Sequence, residues 1–261
     1  MLSLSAALLP RRRKHSCALQ SITMMTFDEI AEKYDRWYET PVGAAVDRME
    51  KRAFLALSEP KPGERLLEVG SGTGRWVLWF RSLGLRVTGL EIAPRMMAMA
   101  RNKIGRSAPN EGIHFLRGDG RALPFRDGSF DLTTAVTTLE FVPEALKGLD
   151  EMWRCTRAGG RMVVGVLNAR SLFAHQRRRK AKSRDTVFSK AHFFERRELK
   201  ELLGRYGKVR VATSTHLHPS VLGVRFGMVF EVFGKVFFRR GGAFLVGRVD
   251  RAACVSRSEV R

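Results

Sequence analysis

Apolar residues recur with two different periods, and the two periods alternate along most of the chain. Short apolar runs bounded by glycines predict buried strands, and longer segments with apolar residues three or four apart predict helices. The predicted strands are residues 65–69, 86–90, 113–116, 130–136, 161–166, 208–213 and 243–249. The predicted helices are residues 27–57 (with a break at 41–43), 76–82, 94–102, 143–156 and 195–206. Because strands that alternate with helices form a mostly parallel sheet covered on both faces, the pattern predicts a three-layer α/β/α sandwich with seven strands.

The alternation also divides the chain into segments. We predict that residues 1–23 are a disordered basic tail or follow from a start codon placed too early, because Met24 immediately precedes the first helical pattern. The remaining predicted units are a helical cap (24–58), a main domain (59–250) with a basic insertion (171–190) and an apolar helical insertion (221–238), and a flexible tail (251–261).

Composition narrows the classes of protein to be considered. The formal net charge of +21 favours partners that carry negative charge, including nucleic acid and anionic membrane surfaces. Three scattered cysteines without a CxxC pair fit neither a disulfide framework nor a zinc site. No apolar run approaches the roughly 20 residues that a membrane span needs. We therefore expect a cytoplasmic protein without a bound metal, for which association with a membrane surface stays open.

A glycine-rich motif follows the first predicted strand. Residues 66–74 read Leu-Leu-Glu-Val-Gly-Ser-Gly-Thr-Gly. Glycines after a buried strand allow the backbone to pass close to a ligand, and the next helix begins with free N–H groups. Arg75 stands where the dinucleotide motif GxGxxG requires its last glycine, and Glu68 precedes the first glycine by two residues. This combination departs from the NAD-binding pattern.

Two acidic residues end the next two predicted strands. Glu91 ends the second strand, where a carboxylate can accept hydrogen bonds from both hydroxyls of a ribose. Asp119, between Gly118 and Gly120, follows the third strand, where a carboxylate can accept from an adenine amino group. The two positions predict a nucleoside-binding edge of the sheet.

Taken together, these motifs resemble the class I S-adenosylmethionine-dependent methyltransferases, in particular the type 11-like group that includes quinone-biosynthesis C-methyltransferases. The family motif LLEVGCGTG matches residues 66–74 with Ser71 in place of the cysteine, and D-x-x-x-L-P-F matches residues 119–125. The K-P-G-G hinge of the family matches residues 157–160, and its Y-D helix matches Tyr34-Asp35. The resemblance covers about residues 27–250 and implies a Rossmann-like fold.

The resemblance also implies S-adenosyl-L-methionine as the methyl donor and a set of residues that contact it. Backbone of the glycine motif is expected to hold the methionine part, Glu91 the ribose, and Asp119 with Gly120 the adenine. Glu68 is expected to brace the glycine loop, and residues 136–138 to lie near the sulfonium. The full set of expected cofactor contacts is Tyr34, Glu68, Gly70, Ser71, Gly72, Gly74, Glu91, Ile92, Asp119, Gly120 and Thr137.

The methyl acceptor is expected to be a small molecule with a hydrophobic or anionic part. A general base is needed only if the acceptor atom arrives protonated. Glu140 and His192 are the candidates for that role, and the sequence does not single out either of them. We also predict that the basic segment 174–189 is a mobile lid that orders over an anionic substrate.

Two other functions remain open at this point. An RNA methyltransferase could use the basic run 177–184 to neutralise phosphates, although residues 135–138 lack the N/D-P-P-Y/F pattern of base-amino methylation. A non-catalytic or NAD-binding Rossmann domain is the third reading, against which the glycine spacing argues.

Overall fold

Seven strands form one sheet in a computed structural model that describes residues 27–106, 111–216 and 241–253. The strands are β1 (Arg65–Val69), β2 (Arg86–Glu91), β3 (Ile113–Arg117), β4 (Phe130–Val136), β5 (Thr156–Leu167), β6 (Val209–Ser214) and β7 (Phe244–Asp250). Their order across the sheet is β3-β2-β1-β4-β5-β7-β6. The neighbours from β3 to β5 pair in parallel, whereas β7 runs antiparallel to both β5 and β6. The prediction of a mostly parallel seven-stranded sheet is therefore confirmed.

Seven helices accompany the strands within the described ranges. They are α1 (27–39), α2 (Pro41–Ser58), α3 (Arg75–Ser82), α4 (Pro94–Arg106), α5 (Ala145–Cys155), α6 (Leu172–Ser183) and α7 (Arg196–Gly204). A short 3₁₀ turn (Leu139–Phe141) follows β4. None of the helices found in these ranges combines the length and the apolar character that crossing a membrane requires.

Apolar clusters on the two faces of the sheet hold the three layers together. Neighbouring residues of β1 serve opposite faces, because side chains alternate along a strand. Leu66 packs in the cluster that contains Phe54 of α2 and Phe80 of α3. Leu67 packs in the cluster that contains Met152 of α5, with Leu199 and Leu203 of α7. All these side chains are fully buried, so the sheet lies in the middle of the core.

The predicted break at residues 41–43 is a sharp junction between two helices. Thr40 caps α2, its hydroxyl accepting a hydrogen bond of 3.1 Å from the backbone N–H of Gly43. A Cβ atom on Gly43 would come within 2.0 Å of the carbonyl oxygen of Trp37 in α1. Only glycine therefore lets α1 turn this tightly into α2.

The start of β5 differs from the sequence prediction. The predicted turn at residues 157–161 lies inside the strand, which begins at Thr156. Thr156 pairs with Phe130, and the register then shifts before Arg161 pairs with Leu132. Gly159, with a φ of 73°, lies in this irregular stretch. The glycine pair thus produces a bulge within a paired strand.

The basic insertion at residues 171–190 also differs from expectation. Its composition predicts a segment without stable structure, but residues 172–183 form α6. The hydroxyl of Ser171 caps this helix by accepting from the N–H of Ala174 at 3.0 Å, and Phe173 packs against α2. Packing of one helix face stabilises α6, which this charged sequence would not form by itself. Residues 1–23, residues 221–238 and most of the predicted tail 251–261 lie outside the described residues.

A buried arginine joins the end of α2 to the turn that leads into β1. The guanidinium of Arg161 donates to both carboxylate oxygens of Glu64, at 2.9 and 2.7 Å. It also donates to the carbonyl oxygens of Ser58 and Glu59, at 2.5 and 3.0 Å. Burial alone would raise the pKa of Glu64, but the hydrogen bonds from Arg161 and the backbone leave that pKa lowered. The pair stays charged and ties the α2 terminus to the sheet.

We expect Arg161→Met to lower the free energy of unfolding by about 3 kcal/mol, because it leaves a shielded carboxylate and two carbonyls without their donor. Urea unfolding followed by circular dichroism measures this change. Arg197→Met is the matched control, because Arg197 pairs with Glu201 on an exposed helix face and such pairs contribute roughly 0.5 kcal/mol. Equal effects of the two substitutions would contradict a special role for Arg161.

Candidate active site

A cavity opens where β1, β2 and β4 reach their carboxyl ends, under α1. Such a position, at which the strand order reverses, is where open α/β sheets bind ligands. The residues that line the cavity lie mainly in segments 68–73, 90–93, 118–120, 136–138 and 141–143, together with Phe27, Tyr34, Tyr38, Arg75, Trp76 and Met96. All the predicted cofactor contacts lie in this lining except Gly74, which instead caps the start of α3.

The glycine loop has two positions with different requirements. Gly70 and Gly72 both have positive φ angles, of 73° and 54°. A Cβ atom on Gly70 would lie 2.2 Å from the side chain of Thr138, so this glycine permits β1 and β4 to approach each other. A Cβ atom on Gly72 would meet nothing within 4 Å. Since Gly72 also lines the cavity, its open side faces space that a ligand can fill.

Glu91 supports the glycine loop from the end of β2. One carboxylate oxygen, Oε2, accepts from the backbone N–H of Gly72 at 2.7 Å. The other, Oε1, accepts from the N–H groups of Ile92 and Ala93 at 2.9 and 2.8 Å. The side chain is 7% exposed, and burial raises its pKa despite these three hydrogen bonds. A carboxylate has about four acceptor positions, so one remains for a ligand hydroxyl.

Glu68 lies below the loop and contacts β4. It is fully buried, and this burial raises its pKa well above the usual value. Its Oε2 atom forms no hydrogen bond within the described part of the chain, and the same holds for the hydroxyl of Ser71. Both residues line the cavity. Glu68 pairs with Thr134 where β1 meets β4, and two buried polar atoms remain available beside the loop.

Asp119 has a partner that the sequence analysis did not identify. The guanidinium of Arg121 donates to both of its carboxylate oxygens, with Nε distances of 3.2 and 3.1 Å. The backbone N–H of Arg121 donates to the same carboxylate at 2.9 Å. Gly120 follows, and a Cβ atom there would come within 2.7 Å of Val69. Arg121 thus fixes the orientation of Asp119 at the wall of the cavity.

Aromatic residues of α1 form the opposite wall. The hydroxyls of Tyr34 and Tyr38 lie 3.5 Å apart, and burial raises the pKa of Tyr34. The side chain of Thr137 makes a smaller contribution that opposes this rise in the pKa of Tyr34. Thr137 has a φ of 49°, which is uncommon for a β-branched residue and marks strain at the end of β4. Tyr34 and Thr137, both expected at the site, both line the cavity.

Asp35 ties α1 to the glycine loop and to α4. Its carboxylate accepts a hydrogen bond of 2.7 Å from the hydroxyl of Thr73 and forms an ion pair with Lys103. The Lys103 ammonium also donates to the carbonyl oxygen of Thr73 at 2.8 Å. Further along α1, Asp28 accepts from the N–H of Arg95 at the start of α4, at 2.8 Å. We call the first three residues, Asp35, Thr73 and Lys103, the α1 clasp.

The two candidate bases lie in different environments. Glu140 is 3% exposed, and its Oε1 atom accepts from the N–H of Leu167 at 2.5 Å. Burial raises the pKa of Glu140 to about 7, which suits proton exchange at neutral pH. The side chain of His192 is 58% exposed and lies 2.6 Å from Glu198 of α7. Neither residue lines the cavity, although Thr138 and Phe141 on either side of Glu140 do.

Comparison with known proteins agrees with this geometry. A family model described as a methyltransferase domain matches residues 67–164. The chain is 37% identical, over 138 residues, to the demethylmenaquinone methyltransferase of Beutenbergia cavernae, a match that covers 53% of this chain and 55% of that enzyme. The match thus spans about half the length of this relative.

Two further relatives match over most of their lengths. An uncharacterised protein of Methanocaldococcus jannaschii is 28% identical over 81% of this chain and 95% of its own. A solved structure from Thermotoga maritima, a possible histamine N-methyltransferase, superposes with a TM-score of 0.68 at 25% identity, covering 88% of this chain and 99% of that one. The glycine loop, the acid at the end of β2, the strand order and these matches lead to one conclusion: the chain contains a methyltransferase domain, at residues 67–164, with the fold of the class I S-adenosylmethionine-dependent methyltransferases.

Proposed function

We propose that this protein transfers the methyl group of S-adenosylmethionine to a small molecule that has a hydrophobic or anionic part. The observation that carries the proposal is the open side of Gly72 beside the remaining acceptor position of Glu91. A ligand that passes close to the loop backbone and presents a hydroxyl to Glu91 fits this pair of features, and the methionine and ribose parts of the donor supply them. Ile92 and Met96 add apolar surface beside this position for the adenine.

Other parts of the cavity also suit this donor. The unpartnered hydroxyl of Ser71 and the buried Oε2 atom of Glu68 can meet the amino and carboxylate groups of a methionine moiety. No three histidine, cysteine, aspartate or glutamate side chains within the described ranges are grouped as a metal site would require. A metal-free reaction remains the expectation.

Methyl transfer requires the protein to orient the reactants and to exclude water more than it requires proton transfer. S-adenosylmethionine supplies a methyl group on a positively charged sulfur, which leaves as a neutral thioether when the acceptor lone pair attacks the methyl carbon in line. Tyr34, Tyr38 and Phe141 cover the cavity and exclude water from it. If the acceptor atom carries a proton, Glu140 is a better candidate than His192 for the general base. Its pKa is near 7, and its Oε2 atom has no hydrogen-bond partner among the described residues.

A small acceptor is favoured by the closed shape of this site. Helix α1 covers the cavity and is held down by the clasp, which leaves little room for a macromolecular substrate. Among the relatives, one acts on demethylmenaquinone and one is a possible histamine N-methyltransferase. Both names describe small molecules with a ring, and we carry only that general feature to this chain.

RNA remains the second candidate because of the outer face of α6 and the residues just after it. Arg178, Arg179, Lys180, Lys182 and Arg184 are exposed there, as phosphate contacts require. Arg177, which the lid prediction groups with them, is turned inward over aromatic rings. Binding of a generic single-stranded RNA measured at several salt concentrations separates the candidates. Weak binding that does not change with salt counts against the RNA function.

We expect S-adenosylmethionine to bind with a dissociation constant in the micromolar range, measured by isothermal titration. Gly72→Ala should weaken this binding by tenfold or more, because the new methyl group occupies the space assigned to the ligand. Gly63→Ala is the matched control: Gly63 also has a positive φ, of 84°, and open space around it, but it lies in the turn before β1. Both variants should lose about 1 kcal/mol of stability from backbone strain. Binding unaffected by Gly72→Ala would mean that the donor lies elsewhere.

Glu91→Ala should have two separable effects. We expect donor affinity to fall by roughly 1–3 kcal/mol through loss of the ribose acceptor. We also expect lower stability, by about 2 kcal/mol, because the N–H groups of Gly72, Ile92 and Ala93 lose their acceptor. Titration and urea unfolding of the same samples measure both, with the exposed Glu201→Ala as a control of equal charge change. A stability loss with unchanged affinity would restrict Glu91 to supporting the loop.

A further inference from the structure

Three charged side chains from distant parts of the chain lie together beside the cavity. Glu50 belongs to α2, Glu140 to the 3₁₀ turn after β4, and Arg177 to α6. Glu50 is 5% exposed and Glu140 is 3% exposed, whereas Arg177 is partly buried. We call these residues the buried charge cluster. No part of the donor-binding geometry described above uses the cluster as a whole.

Arg177 lies over the rings of two phenylalanines. Its Cζ atom is 4.6 Å from the ring centre of Phe188 and 5.7 Å from that of Phe173. Glu50 and Glu140 attract it electrostatically, but it forms no hydrogen bond or ion pair within the described residues. Arg177 is partly buried, and its guanidinium presents five donors for which the described residues supply no acceptor. These donors are therefore available to an oxygen ligand beside the rings.

The charge balance of the cluster favours a negative ligand. Burial raises the pKa of Glu50 to about 8, against the attraction of Arg177, and that of Glu140 to about 7. At neutral pH Glu50 is therefore mostly protonated and can donate a hydrogen bond. Arg177 keeps its positive charge, so the cluster is positive overall. The Oε2 atom of Glu140 is left as an acceptor without a partner in the described chain.

None of the three residues lines the cavity, but residues that do line it connect the cluster to it. Tyr34 and Tyr38 line the cavity and interact electrostatically with Glu50 and Arg177. Phe141 also lines the cavity, and its ring centre lies 6.2 Å from that of Phe188, which Arg177 covers. A flat acceptor held against these rings would place a polar group within reach of Arg177.

We propose that the buried charge cluster recognises the methyl acceptor, which is a ring compound carrying a carboxylate or phenolate oxygen. Arg177 and Glu50 donate hydrogen bonds to that anionic oxygen, and the Oε2 atom of Glu140 accepts from a hydroxyl elsewhere on the ring. The proposal rests on the proposed function, because it assigns the acceptor side of the same cavity. It also separates Arg177 from its exposed neighbours on α6, which have no such role.

The test uses the full chain loaded with S-adenosylhomocysteine and four simple probes: benzoate, 3-hydroxybenzoate, benzyl alcohol and benzylammonium. Isothermal titration should give the tightest binding for 3-hydroxybenzoate, then benzoate, with the neutral probe weaker and the cation weakest. Arg177→Met should weaken binding of both anions by about tenfold or more, since a charge-assisted pair is lost. Arg178→Met, an exposed change one residue along the same helix, should leave all four affinities unchanged.

Two further variants make the result specific. Arg177→Lys should recover part of the anion affinity, because the charge returns without the planar fork. Glu140→Gln should leave benzoate binding intact but remove the preference for 3-hydroxybenzoate, which keeps the test decisive should Arg177→Met unfold.

Several outcomes would overturn the proposal: tighter binding of benzylammonium than of benzoate, anion affinities that Arg177→Met does not change, or no saturable binding of either anion. Failure of S-adenosylhomocysteine itself to bind would instead refute the proposed function, so the two failures are distinguishable.

Discussion

The carboxylate of Glu91 holds the glycine loop in the shape on which the whole site depends. A loop that must approach a ligand through bare backbone has no side chains of its own to fix it. Glu91 supplies the missing support from a neighbouring strand, through Gly72 on one oxygen and through Ile92 and Ala93 on the other. Thr138 packs against Gly70 from the β4 side. The cavity is thus shaped by contacts that two neighbouring strands make with the loop.

Most of the fold follows from local periodicity, and the exceptions have a common physical origin. Strands such as β1 and β4 are buried on both faces and read as continuous apolar runs, so their positions are predictable. The start of β5 and helix α6 are not, because their residues favour other structures locally. Pairing with Phe130 turns the glycines after Thr156 into a bulge, and packing of Phe173 orders a highly charged segment. In both places, tertiary contacts outweigh local preference.

The residues of the candidate site likewise divide into those that can be predicted from the sequence and those that cannot. Residues at or just after the end of a predicted strand, such as Gly70, Gly72 and Glu91, can be assigned to the cavity from sequence because the ends of parallel strands meet at one edge of the sheet. Arg121 escapes notice since a basic residue in a loop is ordinarily solvated, and only the structure pairs it with Asp119. His192 has a residue type suited to catalysis, but its side chain pairs with Glu198 outside the cavity lining.

The residues that are hardest to predict from the sequence are those that the fold brings together from remote segments. Nothing in the local sequence around Glu50, Glu140 or Arg177 relates these residues to one another. Glu50 is separated from the other two by several strands and helices, and Glu140 from Arg177 by α5 and β5. Sheet topology makes them neighbours, and topology specifies the neighbours of a strand more firmly than those of a side chain on a covering helix.

The α1 clasp has a kinetic consequence. Opening of the links from Asp35 to Thr73 and Lys103 widens the path by which a molecule held under α1 can leave, since these links join the cover to the loop beneath it. They are partly exposed and electrostatic, so dissolved ions weaken them far more than they weaken the apolar contacts of Phe27 and Met96. The residence time of a ligand in the cavity, and with it the rate of product exchange, therefore depends on ionic strength.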